Sequence, residues 1–438
     1  VKPVGKPEVK VIGGGLAGCE AAWQLALRGF RVALFEMRPS TLTPAHTTGD
    51  LAELVCSNSL RSADPVNAAG LLKSELEMAG SFVLSVALGH AVPAGSALAV
   101  DRHTFSSEIT GRIERNPGIE LVREEVTDLE DDRFQIVATG PLTSDLLALE
   151  ISNLAGSEEL YFYDALAPIV EGDGIDRSIA FLQSRYDSGE GAYLNCPMSE
   201  KEYFHFVDAL LSSERAPLRE FEKKKHFSGC LPVEVIGESG ALALAHGPMK
   251  PVGLIDPRTG ERPFAVVQLR MENKEGTAWN LVGFQTQLTY PAQKRLFRSI
   301  PGLGKAVFLR LGSMHRNTYL NSPQILDSRL RMKGRENVLF AGQITGVEGY
   351  MESVASGWLC GYFLSSLLDG VEPVPPPPET ALGALLSHVT TARGHEFQPS
   401  NINYGLFPAT VKGRGRREKR AAYSKRALES LGCWMSEI

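Results

Sequence analysis

The sequence predicts an α/β chain: a Rossmann-like, two-dinucleotide-binding fold interrupted by an inserted α+β domain. Three observations carry this. A glycine-rich turn, Gly13-Gly14-Gly15-Leu16-Ala17-Gly18, joins an apolar strand to a helix. Two later apolar runs, at 135–140 and 337–342, each end in a small residue followed by glycine. Between them, over 188–311, the pattern changes to short alternating runs broken by turn residues, which reads as a strand-rich insertion.

Taken in order, Glu8–Ile12 is the first strand and the glycine turn opens a helix running to about Arg28, with Gly29 as its C-terminal stop. Arg31–Glu36 is the second strand, closing a βαβ unit of about 30 residues, the context a G-x-G-x-x-G fingerprint requires. Residues 1–187 form the first part of the nucleotide-binding domain and 188–311 the inserted domain. The latter holds the runs Ala265–Arg270 and Leu281–Leu288. Residues 312–370 return to the first domain with the strand Asn337–Gly342 and a small-residue helix from about Glu352 to Leu368. Val371–Pro378 is a stiff polyproline linker, from which 379–438 can project as a semi-rigid unit.

The chain has 438 residues, 43% hydrophobic and 22% charged, near the average of soluble globular proteins. No apolar run is long enough to span a membrane, and Val1–Glu8 is not a signal region. The expected location is the cytoplasm. The six cysteines, at 19, 56, 196, 230, 360 and 433, form no C-x-x-C, which argues against a zinc ribbon, an iron–sulfur cluster or a redox dithiol. No metal site is expected, and His103 and His246 read as surface or core residues. Net charge is −6, but nine Lys or Arg against two Glu between Arg393 and Arg426 leave +7 there and −13 elsewhere. A second basic cluster holds Arg215, Arg219 and Lys223-Lys224-Lys225. Basic patches on an acidic chain suit either phosphate-backbone docking or a solvated face.

The glycines at 13, 15 and 18 let the backbone approach a pyrophosphate at a helix N-terminus, where amide donors and the helix dipole favour negative charge. Glu36, about 20 residues on, suits the ribose hydroxyls. The far end of the chain separates FAD from NAD. Gly342-Gln343 fits the strand-end element that reaches a flavin's ribityl chain, with Gln343 in place of the more usual acid. The following helix would present its N-terminus to the flavin ring. Thr139-Gly140 resembles the middle element of the same set. Together these make the expected fold a flavoprotein fold and the cofactor FAD.

Several motifs are more specific still. Ala341-Gly-Gln-Ile-Thr-Gly-Val-Glu-Gly-Tyr-Met-Glu-Ser353, Leu54-Val-Cys-Ser-Asn-Ser-Leu-Arg61, Val100–Phe105, Phe162–Ala165, His226–Glu234 and Asn403–Pro408 resemble the folate- and FAD-dependent tRNA uracil-5-methyltransferases, the TrmFO family. A sister family, GidA, shares the Gly-Gln-Ile element but is longer, with an added C-terminal helical domain. The resemblance implies transfer of a methylene group from 5,10-methylenetetrahydrofolate to C5 of a uridine at position 54 in the T loop of tRNA, with flavin reduced by NAD(P)H supplying a hydride. It also implies that Cys56 and Cys230 are the catalytic thiols. Uracil C5 is a poor nucleophile until a thiolate adds at C6, and a second group must help remove the C5 proton.

Cys230 follows Lys223–Lys225 and His226, whose charge favours thiolate, so it is expected to attack, with Cys56 as acid/base or flavin-side partner. Cys19, Cys360 and Cys433 are expected to be buried, inert thiols, and Cys196 has no assigned role. Tyr350 reads either as a core aromatic or as a ring stacked on flavin or folate. Lys223, Lys224, Lys225, Arg414, Arg416, Arg417, Lys419 and Arg420 are the expected tRNA contacts, in particular to the T arm. No obligate protein partner is evident. Two other readings remain: an NAD(P)H-dependent flavin oxidoreductase of a small molecule, and a GidA-like FAD-containing tRNA modification factor.

Overall fold

A computed structural model describes residues 9–129, 132–155, 160–185, 191–216, 231–312, 314–391, 397–409 and 415–438. The first sheet has six strands in the order Arg331–Met332, Arg335–Phe340, Phe134–Val137, Val9–Ile12, Val32–Phe35, Ile119–Val122. All pairs are parallel except the outermost, where 331–332 runs antiparallel to its neighbour. Val11, Leu34, Ile136, Val137, Val338, Leu339 and Phe340 are fully buried, as strands covered on both faces must be. Gly13, Glu36, Thr139 and Gly342 follow the carboxyl ends of four strands. Strand order reverses about Val9–Ile12, and open α/β sheets bind ligands at such a switch point.

Two helices pack face to face beside this crevice. Leu16–Leu27 opens from the glycine turn, and Tyr350–Leu368 starts two residues before the expected Glu352 and is buried from Met351 to Ser365. Small residues permit the close approach. A Cβ on Gly357 would lie 2.3 Å from the Ala17 carbonyl oxygen, and one on Gly361 would lie 2.7 Å from Gln24 Cβ.

The second sheet is antiparallel throughout, in the order Phe181–Leu182, Tyr193–Met198, Ala265–Met271, Ala278–Leu281, Ile169–Glu171, Phe308–Arg310. It takes its first strands from before residue 188, so the change of architecture comes earlier than the alternating pattern shows. Strands Leu160–Ala165 and Met314–Tyr319 pair antiparallel where the chain leaves and re-enters the first sheet. The run 281–288 is not one strand. It ends at Leu281 and turns at Gly283, whose φ of +77° suits glycine.

The C-terminal segment does not project from a stiff spacer. Helix Arg416–Met435 buries Ala427, Leu431 and Trp434. The Trp434 indole N–H donates to the Val374 carbonyl at 3.0 Å, and its ring meets Tyr362 edge-on at 5.4 Å. One apolar stripe on an otherwise basic helix is enough to strap the proline-rich segment onto the first domain. No helix of the described residues is long and apolar enough to cross a membrane.

Candidate active site

The glycine turn is shaped by contacts that exclude side chains. Gly13 has φ +104°, and a Cβ there would lie 2.6 Å from the Ala138 carbonyl oxygen. A Cβ on Gly18 would lie 1.8 Å from the Gly13 carbonyl oxygen. Gly15 differs: its φ is −77° and no atom lies within 4 Å of where its Cβ would be. It opens onto a cleft lined by Gly13, Gly15–Ala17, Glu36, Thr139, Gly140, Gly342, Gln343 and Tyr350. Of the expected cofactor residues, Gly14 and Gly18 lie outside that lining, where their backbone shapes the turn.

Glu36 is already engaged. Its Oε2 accepts the Gly14 N–H at 2.9 Å, and Oε1 accepts the Arg38 Nε–H at 2.8 Å and the Arg38 backbone N–H at 3.0 Å. Burial alone would raise its carboxyl pKa. The hydrogen bonds and charge of Arg38, with the Gly14 amide, outweigh burial and hold it below the ordinary range. A carboxylate oxygen has lone pairs to spare, so the residue both fixes the turn and can accept from a ligand hydroxyl. The Gln343 amide N–H donates to Glu348 Oε2 at 2.8 Å. The glycine cradle at a helix N-terminus and these polar groups fit the ADP and ribityl portions of FAD.

Tyr350, the first residue of its helix, turns its hydroxyl toward the 54–58 loop. The Cys56 and Ser57 backbone N–H groups donate to it at 3.0 and 3.2 Å, and Cys56 Sγ lies 2.9 Å away. A phenol has two lone pairs and one proton. With the lone pairs taken by amides, the proton is left to point at sulfur, so Sγ is the acceptor. Burial, then the charge of Cys56, pushes the Tyr350 phenol well above its ordinary range, which keeps that proton in place.

The same loop is held by three arginines that sequence reasoning missed. Arg102 Nη1 donates to the Leu54 carbonyl at 2.6 Å, Arg310 Nη1 to the Val55 carbonyl at 2.8 Å, and Arg270 to Ser57 Oγ at 2.7 Å and Asn58 Oδ1 at 2.8 Å. Glu272 pairs with Arg102 at 2.8 Å. Burial, with Arg102 nearby, pushes Arg310 down to about 10, and burial likewise lowers Arg270. For Arg102 burial is outweighed, chiefly by Glu272, and the pKa is raised. Arg102 sits inside the quoted motif Val100–Phe105. Arg270 and Arg310 had no mark beyond being cations in apolar strand patterns.

Cys230, Lys223, Lys224, Lys225 and Arg414 lie outside the described residues. Arg416 begins the C-terminal helix, Arg417 and Lys419 are exposed on it, and the half-buried Arg420 donates to Asn67 Oδ1 at 3.0 Å. Cys19 and Cys360 are buried, and burial raises both thiols far above their ordinary range. Burial pushes Cys196 up to about 12. Cys433, expected to be buried, is exposed, because its helix turns Leu431 and Trp434 inward instead. His103 and His246 are exposed.

The sequence matches the family model described as glucose inhibited division protein A over residues 8–372. It is 56% identical over 431 residues to the methylenetetrahydrofolate–tRNA-(uracil-5-)-methyltransferase TrmFO of Geobacter sulfurreducens, covering 98% of this chain and 99% of that one. It is 57% identical to the protein of the same name from Geotalea uraniireducens, covering 99% and 100%. Among solved structures, Aquifex aeolicus GidA superposes with a TM-score of 0.71 at 18% identity, over 98% of this chain and 76% of that one, a likeness of fold.

Proposed function

The chain belongs to the TrmFO family, within the wider glucose inhibited division protein A family, and on that footing we propose that it is a folate- and FAD-dependent tRNA methyltransferase forming 5-methyluridine at position 54 of the T loop. One observation carries the proposal to the residues. The glycine turn, Thr139-Gly140 and Gly342-Gln343 line one cleft, and Tyr350 joins that cleft to Cys56.

Methylenetetrahydrofolate delivers carbon at the oxidation level of formaldehyde, so a methyl product needs a hydride. FAD held in the cleft and reduced by NAD(P)H supplies it. The chain's own residues do the rest. Cys230 adds through sulfur to uracil C6, making C5 nucleophilic toward the one-carbon unit. Once the new C5–carbon bond exists, Cys56 removes the C5 proton as tetrahydrofolate leaves the new carbon, giving an exocyclic methylene. With the hydride that bound, reduced FAD would supply added to that carbon, the Cys230–C6 bond breaks to restore the ring as 5-methyluridine. The Tyr350 hydroxyl supports Cys56 by donating to its sulfur, which favours the basic form. Lys223–Lys225 and the basic face of the C-terminal helix meet tRNA phosphates, and the reaction takes place in the cytoplasm.

The test is incubation of the purified protein with tRNA lacking the T-loop modification, methylenetetrahydrofolate and NAD(P)H. Appearance of 5-methyluridine supports the proposal. Flavin turnover with no modified nucleoside would instead favour an oxidoreductase of a small molecule.

A further inference from the structure

We infer that Arg270 and Arg310, both carried by the second sheet, are positioning residues for Cys56: they fix the 54–58 loop and supply a positive field that keeps its sulfur reactive. The inference rests on the reading of Cys56 as the acid/base thiol.

The geometry is unusually complete. Both residues on each side of Cys56 are held by a buried or largely buried guanidinium. Leu54 is bound by Arg102, Val55 by Arg310, and Ser57 and Asn58 by Arg270. Asn58 is fixed again as its amide donates to the Val100 and Met271 carbonyls, both at 2.9 Å. Arg102 comes from the helix after the Val100 strand, whereas Arg270 and Arg310 come from two strands of the second sheet. A loop on the cleft wall is thus aligned by a separate layer of the protein. Arginine suits this duty because its planar fork aims several donors at once and keeps its charge when buried.

The charge balance points the same way. Among the described residues, the ion pair in this cluster is Arg102–Glu272, so one carboxylate faces three guanidiniums. Glu272 lowers the surplus but does not cancel it. Burying uncompensated cations is costly unless an anion or strong acceptors lie close by. The acceptors here are the loop's own carbonyl and side-chain oxygens. The nearby groups able to become anions are Cys56, Tyr350 and, beside Arg270, Tyr193, whose hydroxyl donates to the Ala94 carbonyl at 3.2 Å. All three arginines are charge-coupled to Cys56, and Arg102 and Arg310 also to Tyr350. The Tyr350 phenol keeps its proton and the Tyr193 hydroxyl is held on the Ala94 carbonyl, so the thiol is the group the cluster is arranged to ionise. Arginines that merely joined the two layers would act on stability and leave sulfur chemistry alone.

The experiment follows carboxyamidomethylation of Cys56 by iodoacetamide in flavin-loaded protein near neutral pH, read by peptide mass spectrometry, with exposed Cys433 as internal reference. Arg270→Gln and Arg310→Gln should each slow Cys56 labelling by about tenfold, as loss of a neighbouring opposite charge lowers the thiolate fraction. Arg310→Lys keeps the charge and should bring labelling back to within about threefold of wild type. Glu272→Gln is isosteric and removes the opposing carboxylate, so it should speed labelling severalfold. Unchanged or faster labelling in the glutamine variants would overturn the inference, as would a lysine variant as slow as Arg310→Gln. Should the arginine variants fail to fold, Glu272→Gln decides: labelling no faster than wild type overturns it. Labelling is read without turnover, so a Cys56→Ala protein that still methylates would sink the acid/base reading separately.

Discussion

Gly15 is the glycine whose replacement separates ligand binding from folding. Its φ of −77° is open to any L residue, and the space at its Cβ position holds no atom within 4 Å. Gly15→Val therefore leaves the empty protein nearly unstrained. The position is a helix N-cap without a side-chain hydrogen bond, so the cost is about 1 kcal/mol, and in a chain of this length Tm moves by only about 1 °C. The valine methyls instead enter the space a pyrophosphate needs. Losing two charge-assisted hydrogen bonds from backbone amides, at about 1.5–3 kcal/mol each, weakens flavin binding by roughly 10²–10⁴-fold. The assay is flavin absorbance per mole of purified protein, with a thermal melt alongside. The variant should emerge colourless and folded. Gly18→Ala, though smaller, puts a Cβ 1.8 Å from the Gly13 carbonyl oxygen and should lower Tm further than Gly15→Val does. A fully yellow Gly15→Val protein would refute the assignment of this turn.

Cys56→Ala and Cys230→Ala should each abolish methylation while leaving FAD bound, non-covalent and reducible by NAD(P)H. A covalent complex with 5-fluorouracil-containing tRNA, lost in Cys230→Ala but retained in Cys56→Ala, would identify the attacking thiol, and near wild-type methylation by either variant removes that residue from catalysis. Neutralising Arg414, Arg416, Arg417 and Lys419 should flatten the dependence of log tRNA affinity on log salt by about 3 units, at 0.7–0.9 per phosphate contact. Parallel salt lines would mean a solvated face, with docking around Lys223–Lys225. Glu75 accepts the Ala381 and Leu382 amides at the start of helix Ala381–Thr390, and burial pushes its carboxyl up to about 8. A raised folded-state pKa contributes stability that is complete below the ordinary carboxylate range and is lost as pH rises toward 8. Glu75→Gln should therefore show a shallower fall in Tm from pH 5 to 8, and melts parallel to wild type would contradict this.

Much of the fold was legible because its signals are local. A strand, a glycine turn and a helix are written in consecutive residues, and the first βαβ unit matches its expected bounds to within a residue or two. The return strand before Gly342 was equally clear. The start of the second sheet was hidden, because Ile169–Glu171 and Phe181–Leu182 are too short to show a period. The docking of the C-terminal helix was hidden for another reason. Its stripe of Ala427, Leu431 and Trp434 is narrow, and charge dominated the reading. At the site, Cys56 and Tyr350 are 294 residues apart, and each was singled out without any sign that their side chains meet. Arg270 and Arg310 illustrate the same limit. A buried cation is legible only once the acceptor that satisfies it is known, and that acceptor sits on another layer.

The most direct test of the account follows one carbon atom. Methylenetetrahydrofolate labelled with carbon-13 in its methylene group is supplied with NAD(P)H to the flavin-loaded protein and tRNA lacking 5-methyluridine. The tRNA is then digested to oligonucleotides and weighed. The account predicts a single labelled methyl group on the T-loop uridine at position 54, absent without NAD(P)H and absent in Gly15→Val protein. Label elsewhere in the tRNA, an unlabelled methyl group, or none at all from a fully flavinated protein would contradict it.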